Sequence, residues 1–226
     1  MQSFNIVKEI DVSDSFRLKS LIGRFDLKPE MVKERFVGEI NIPPDWNIGL
    51  IYGRSGTGKS TIARELFGID NERAFEYKGK SVIDDFNKTK TVDEISAMLA
   101  NVGFSSPPSW MKPYKVLSTG EKMRVDIARL LLEDKEIIVY DEYTSVVDRD
   151  VAKIGSLAVQ KAIRRQKTKF IAVSCHKDIA KWLMPDWIYD TNTKETIIPK
   201  KKDHKSKLTY MKQPTGYGKC LGSITI

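Results

Sequence analysis

Residues 53–61 read Gly-Arg-Ser-Gly-Thr-Gly-Lys-Ser-Thr, and this short run constrains the fold more tightly than any other part of the chain. It matches G-x-x-x-x-G-K-[ST] through Gly53, Gly58, Lys59 and Ser60. Glycines let a backbone turn aim its N–H groups at phosphate oxygens with no side chain in the way. The pattern needs a strand before it and a helix after it. Residues 47–52 (NIGLIY) are an apolar run of strand length, and Ile62, Ala63, Leu66 and Phe67 recur at helical spacing up to Gly68. A helix starting there points its positive dipole end at the same anion. The expected phosphate contacts are therefore Gly53, Ser55, Gly56, Thr57, Gly58, Lys59, Ser60 and Thr61. Lys59 would reach the β- and γ-phosphates, and the Ser60 hydroxyl would hold Mg2+.

Strand and helix patterns alternate along the rest of the chain. Strands are expected at residues 2–12, 35–42, 80–83, 137–140 and 169–174, with edge strands at 187–189 and 196–198. Helices are expected at 92–101, from Thr119 onward (Met123, Ile127, Leu130, Leu131), and along Val151, Ile154, Ala158 and Ala162. A short helix stops before Pro185. This order predicts an α/β P-loop NTPase fold, a mostly parallel sheet flanked by helices. Ligands in such sheets sit beyond the carboxyl ends of the strands.

Three further groups fall at such positions. Residues 117–122 (LSTGEK) open the helix at Thr119, where Ser118, Gly120 and Glu121 form either a second anion site or a plain capping box. The strand at 137–140 runs into Asp141-Glu142. One carboxylate suits the metal shell and the other the attacking water, so Asp141 is assigned to Mg2+ and Glu142 to the general base. His176 follows the strand at 169–174, within reach of a γ-phosphate at the sheet edge.

Taken in order, the phosphate loop, LSTGE, IIVYDE, SVVD and SCH resemble the Walker A, signature, Walker B, D-loop and switch-histidine motifs of ABC ATPases. The resemblance runs from about Trp46 to His176. It implies ATP and Mg2+ as cofactors, hydrolysis by Glu142 with Lys59 and His176, and a homodimer formed on ATP binding. In that dimer Ser118, Gly120 and Glu121 would face the other chain's phosphate loop, and Asp148 would lie across the seam. Only 59 residues separate Lys59 from Ser118, which implies a reduced helical subdomain, and residues 62–117 contain no Gln. The glutamine loop of transporter ATPases thus has no obvious counterpart, and Asp84 or Asp85 is the candidate for its place near Mg2+. The run DEYTSVVDRDVAKIGS resembles a small prokaryotic and phage group of ABC-type ATPases, some fused or adjacent to an acetyltransferase-like domain. On this reading the chain is a soluble ATPase acting on nucleic acid or an acetyltransferase-like partner enzyme. The alternative is the ATP-binding subunit of a membrane transporter, and a membrane domain is not the expected partner.

Composition adds the surroundings. No apolar run approaches the roughly 20 residues that cross a bilayer, and the first residues do not pattern as a signal peptide. Cys175 and Cys220 make no disulfide framework, so the expected compartment is the cytoplasm. Residues 1–198 are expected to form the ATPase domain and 199–226 a basic tail, whose seven lysines and one acid hold six of the chain's eight net positive charges. Such a tail either contacts a polyanion or is a solvated terminus. His204 lies within it. Trp110, Trp182 and Trp187 read as packing residues, and Phe25, Phe36 and Trp46 as the aromatics able to stack on adenine.

Overall fold

The computed structural model describes residues 2–8, 15–27, 33–70, 75–133 and 135–199. The basic tail from residue 200, with His204 and Cys220, lies outside the described residues. Strands β1 (Gln2–Lys8) and β2 (Glu34–Ile40) form an antiparallel pair in which Phe4 faces Gly38 and Ile6 faces Phe36. Between them in sequence stands a helix that periodicity did not indicate, α1 (Phe16–Phe25), capped by Ser15.

The main sheet has five strands in the order β4-β5-β3-β6-β7: β3 (Ile48–Tyr52), β4 (Ile137–Tyr140), β5 (Lys169–Ser174), β6 (Trp187–Asp190) and β7 (Glu195–Ile197). All but β7 run parallel. Successive residues of β3 enter opposite cores, as the two-residue period of a strand requires. Ile48, Leu50 and Tyr52 pack with α3 (Val92–Asn101), α5 (Thr119–Leu131) and α6 (Arg149–Arg164), through residues such as Leu99, Ile127 and Val159. Ile51 packs the other way, with Val139, Ile171 and Val173, under Ile62 and Ala63 of α2 (Lys59–Phe67) and under Phe4 and Ile40 of the hairpin. Covered on both faces, the central strands are apolar throughout. The Asn41 N–H donates to Thr196 Oγ1 at 3.0 Å, tying the end of the hairpin to the sheet edge. Two short helices, α4 (Pro107–Trp110) and α7 (Ala180–Leu183), complete the described elements.

The structure corrects three expectations. Residues 80–83 are not a strand; they form a turn leading into a 3-10 turn at Ile83–Asp85. Asp85 Oδ1 accepts the Lys78 and Gly79 N–H groups at 2.8 and 2.7 Å, and Val82 N–H points at the Trp110 and Lys112 carbonyls, so these donors are not free for a ladder. On α6 the buried positions are Ala152, Gly155, Ser156, Val159, Ala162 and Ile163, whereas Ile154 is exposed. Small residues let this helix approach the core on a face that apolarity alone does not mark. Finally, β6 is an interior strand, not an edge: Trp187 is fully buried against Trp46, and an added Cβ on Gly49 would meet its indole at 2.2 Å.

Asp186 fixes the start of β3 from across the sheet. Its Oδ2 accepts the Asn47 and Ile48 N–H groups at 2.9 and 3.0 Å, and Arg164 reaches Oδ1 at 3.2 Å. Burial opposes the charge, but the two backbone donors and Arg164 outweigh it and hold the carboxyl below its usual pKa. A lowered folded pKa adds stability above the unfolded value, near about 3.9, and that stability is lost as pH falls through the folded value. Asp186→Asn should therefore be less stable than wild type by about 1–2 kcal/mol at neutral pH, with the gap closing below about pH 4. Urea unfolding across that range measures it.

Candidate functional site

The parallel register brings the ends of three strands to one edge of the sheet, with β4 stopping short of the other two. Tyr52 pairs with Ser174, and Tyr140 with Ala172. Gly53, Asp141 and the Cys175-His176 turn therefore leave the sheet at the same edge, the two loops from β3 and β4 flanking the one from β5.

From Tyr52 the chain turns through Gly53 into α2. Gly56 and Gly58 hold φ of 78° and 82°, the left-handed region that side chains disfavour, so a turn of this shape needs glycine at both. Lys59 is buried, and its Nζ donates to the Arg54 carbonyl at 2.8 Å. Thr57 Oγ1 donates to the same carbonyl at 2.8 Å. Ser60 and Thr61 follow, half-buried in the first turn of α2.

The loop is braced from outside by residues that sequence reasoning missed. In the turn after β6, Thr191 Oγ1 lies 2.5 Å from Thr57 Oγ1, and Asn192 Oδ1 accepts the Arg54 N–H at 3.2 Å. Asp190 orients this turn by accepting from Tyr52 OH at 2.6 Å and from both the backbone N–H and side-chain amide of Asn192. Gly53 has to be glycine for reasons of space: a Cβ there would lie 2.0 Å from Thr191 Oγ1. On the opposite side Phe36 of β2 covers Gly58, where a Cβ would fall 2.4 Å from the ring. Of the three aromatic candidates only Phe36 is shown against the loop. Trp46 is buried in its T-shaped contact with Trp187, and Phe25 is exposed on α1.

Asp141 is buried at the end of β4, and its Oδ1 accepts the Glu142 N–H at 2.8 Å. Glu142 has φ 53° and Thr144 φ 62°, two strained residues in one turn. The turn is held by Tyr143, fully buried, whose N–H donates to the Val173 carbonyl and whose hydroxyl meets Ser156 of α6. Held this way, the Glu142 side chain stays exposed. Ser174 links the turn to His176, for its hydroxyl donates to the Tyr143 carbonyl at 2.9 Å and accepts the His176 N–H at 3.2 Å.

Of the two readings of residues 117–122, the structure shows the capping box. Ser118 and Glu121 form a complete capping box, the Ser118 N–H and hydroxyl each donating to Glu121 Oε2 at 2.8 Å. Partial burial works against the Glu121 carboxylate, but these donors outweigh it and keep its pKa below the usual range. Gly120 packs against the D-loop end of α6, where a Cβ would meet Val151 at 2.7 Å. Beneath it lies Arg124, whose pKa is lowered by burial and whose Nε is buried without a hydrogen-bond partner. Asp148 caps α6 through the Asp150 N–H. The adjacent Arg149 pairs through Nε and Nη2 with Asp178 and lies over the Trp182 ring, joining the start of α6 to the segment after His176. Asp85 Oδ1, as noted, is engaged by backbone donors, and Asp84 is exposed and bonded to Ser81.

Solved structures share this architecture. A dimeric bacterial ABC transporter cassette superposes with a TM-score of 0.53 over 71% of this chain and 89% of its own, at 15% identity. A metal-chelate type ABC transporter in an inward-facing conformation gives 0.54 over 74% and 76%, at 18% identity. The fold is that of an ABC ATPase domain. The family model described as ABC transporter matches residues 70–145, which hold the signature segment and the Asp141-Glu142 strand of this ABC fold. An uncharacterized ABC transporter ATP-binding protein of Haemophilus influenzae is 29% identical over 136 residues, covering 47% of this chain and 55% of its own. The energy-coupling factor transporter ATP-binding protein EcfA of Onion yellows phytoplasma is 43% identical over 163 residues, covering 56% and 59%. The mRNA export factor elf1 of Schizosaccharomyces pombe is 27% identical over 178 residues, 75% of this chain but 15% of that protein. The chain thus spans little more than half the length of the first curated relatives it matches.

The brace on the phosphate loop is open to a double-mutant test. Gly53→Ala should destabilise the protein by about 1–3 kcal/mol through overpacking against Thr191. Adding Thr191→Ala should recover most of the loss, and urea unfolding of the two single variants and the double variant measures the coupling.

Proposed function

We propose that this chain binds and hydrolyses Mg-ATP as an ABC cassette, pairing head to tail with a second copy. The observation that carries the reading is the common edge at which Gly53, Asp141 and His176 leave the sheet. The loop N–H groups and Lys59 would cradle the β- and γ-phosphates, with Thr57 and Gly58 seating them. Phe36, already against Gly58, is the platform for adenine. Ser60 and Asp141 offer one hydroxyl and one buried carboxylate, a hard oxygen set suited to Mg2+ that substrate phosphates and water complete. When bound, the metal would supply positive charge that offsets the charge developing on the phosphates.

Glu142 would take a proton from the attacking water as the water oxygen bonds to the γ-phosphorus and the bond to the bridging oxygen breaks. His176 would donate to a γ-phosphate oxygen. The second copy's Ser118 and Gly120, at the N-terminus of its α5, would face the same phosphate, which suits the positive end of a helix. The capping box does not compete with this role outright, because Ser118 is exposed while it caps.

As to the work done, relatives named as transporter ATP-binding proteins, including EcfA and the aliphatic sulfonates import protein SsuB of Corynebacterium glutamicum, favour energising membrane transport over the soluble reading. No helix among the described residues is long and apolar enough to cross a membrane, so transport would need membrane-spanning segments from outside them. One structural observation supports the soluble alternative, in which the partner is nucleic acid or an acetyltransferase-like enzyme. The segment following residue 74 is closed onto α5 by Tyr77 and Tyr114, stacked on each other and both donating to Asp126, rather than forming a glutamine loop. Co-purification with a multi-span membrane protein separates the two.

The chemistry has its own test. Glu142→Gln should bind Mg-ATP, lose turnover by about a hundred-fold or more and shift to twice the monomer mass by light scattering. Lys59→Ala should lose binding and turnover together, and Ser118→Arg should bind ATP yet stay monomeric. Equal turnover in Glu142→Gln and wild type would remove the role given to Glu142.

A further inference from the structure

Helix α1 has a purpose the nucleotide site does not account for. It is well formed: Ser15 Oγ accepts the Leu18 N–H, and Asp26 closes the far end in the left-handed conformation. Yet none of its residues is buried. With 3.6 residues per turn, Leu18, Leu21, Ile22 and Phe25 fall on one side. Arg17 and Arg24 line one flank of that side and Lys19 the other, and no residue of the helix is acidic. Phe25 is 61% exposed and Leu21 45%, while Leu27, just past the helix, is 39% exposed. The Arg24 guanidinium lies 5.9 Å from the Phe25 ring, at the border between the apolar and basic strips.

An exposed apolar face normally finds a cover. The charge on its rim says which kind. A helix of low mean hydropathy, with Phe and Leu on one side and arginines at the boundary, lies in the plane of a lipid surface with its apolar side among acyl chains and its cations among anionic headgroups. We propose that α1 docks the protein on an anionic membrane surface. The helix is inserted between two strands of a hairpin whose inner residues, Phe4 and Ile40, are buried against the sheet. The inference does not depend on how the nucleotide is used, and it holds for either reading of the cassette's work.

The test is co-sedimentation of the full chain with phosphatidylcholine vesicles, with and without phosphatidylglycerol. Wild type should pellet with the anionic vesicles only and be released by added salt, since exposed charges are screened. Leu21→Glu/Phe25→Glu and Arg17→Glu/Arg24→Glu should each weaken binding by about ten-fold or more. Their melting temperatures should match wild type, because no residue of the helix is buried. Failure of wild type to pellet overturns the proposal. So does equal pelleting of both variants, which would put the contact in the lysine-rich residues after 199. A lipid-free wild type that is oligomeric, and that Leu21→Glu/Phe25→Glu converts to monomer, would make the face a protein interface instead.

Discussion

Hydrogen bonding of β5 to β3 on one side and to β4 on the other fixes where every candidate site residue can stand. These strands run parallel, so whatever follows Tyr52, Tyr140 and Ser174 emerges at one edge. The loops need only be short for a lysine, two carboxylates and a histidine to share that edge. Tyr143 and Ser174 then lock the second loop to the third by hydrogen bonds that leave the Glu142 and His176 side chains out. The fold supplies alignment first and chemistry second, which is how such sheets carry ligands at their carboxyl ends.

Much of this was legible in the sequence, for a physical reason. Gly56 and Gly58 stand where the backbone requires positive φ, Lys59 and Ser60 follow at fixed offsets, and Asp141-Glu142 ends an apolar run. These are local demands, met within a few residues. What sequence could not show is what arrives from elsewhere in the chain. Thr191 and Asn192 reach the phosphate loop from more than 130 positions away, and Arg149 meets Asp178 across 29. Nothing near Thr191 marks it as different from any other turn residue. The misread segment at 80–83 failed for a related reason. Its apolar content is compatible with a strand, but Asp85 turns the chain just before it through the Lys78 and Gly79 N–H groups, and the Val82 N–H goes to the Trp110 and Lys112 carbonyls. On α6, glycine, serine and alanine form the packed face, and an apolar count looks past them.

The signature turn is held by its own cap. Ser118 and Glu121 satisfy the orphan donors at the start of α5 within the chain, as a capping box does in any helix. The same geometry leaves the serine at the surface and brings Gly120 so close to Val151 that no side chain fits. Gly120 is itself buried by that packing, in the first turn of the helix, and what the cap presents at the surface is the serine.

The phosphate loop is gripped from both sides, by Thr191 and Asn192 of the turn after β6 and by Phe36 of the hairpin, while Asn41 and Thr196 join those two supports to each other. The loop is thus one link in a closed ring of contacts running through β2, β7 and the turn between β6 and β7. A glycine-rich segment on its own would wander among many conformations and lose that freedom only when a ligand arrived. Here the ordering is done as the protein folds, so a ligand at this turn would find it already shaped, and little of the binding energy would go into arranging it.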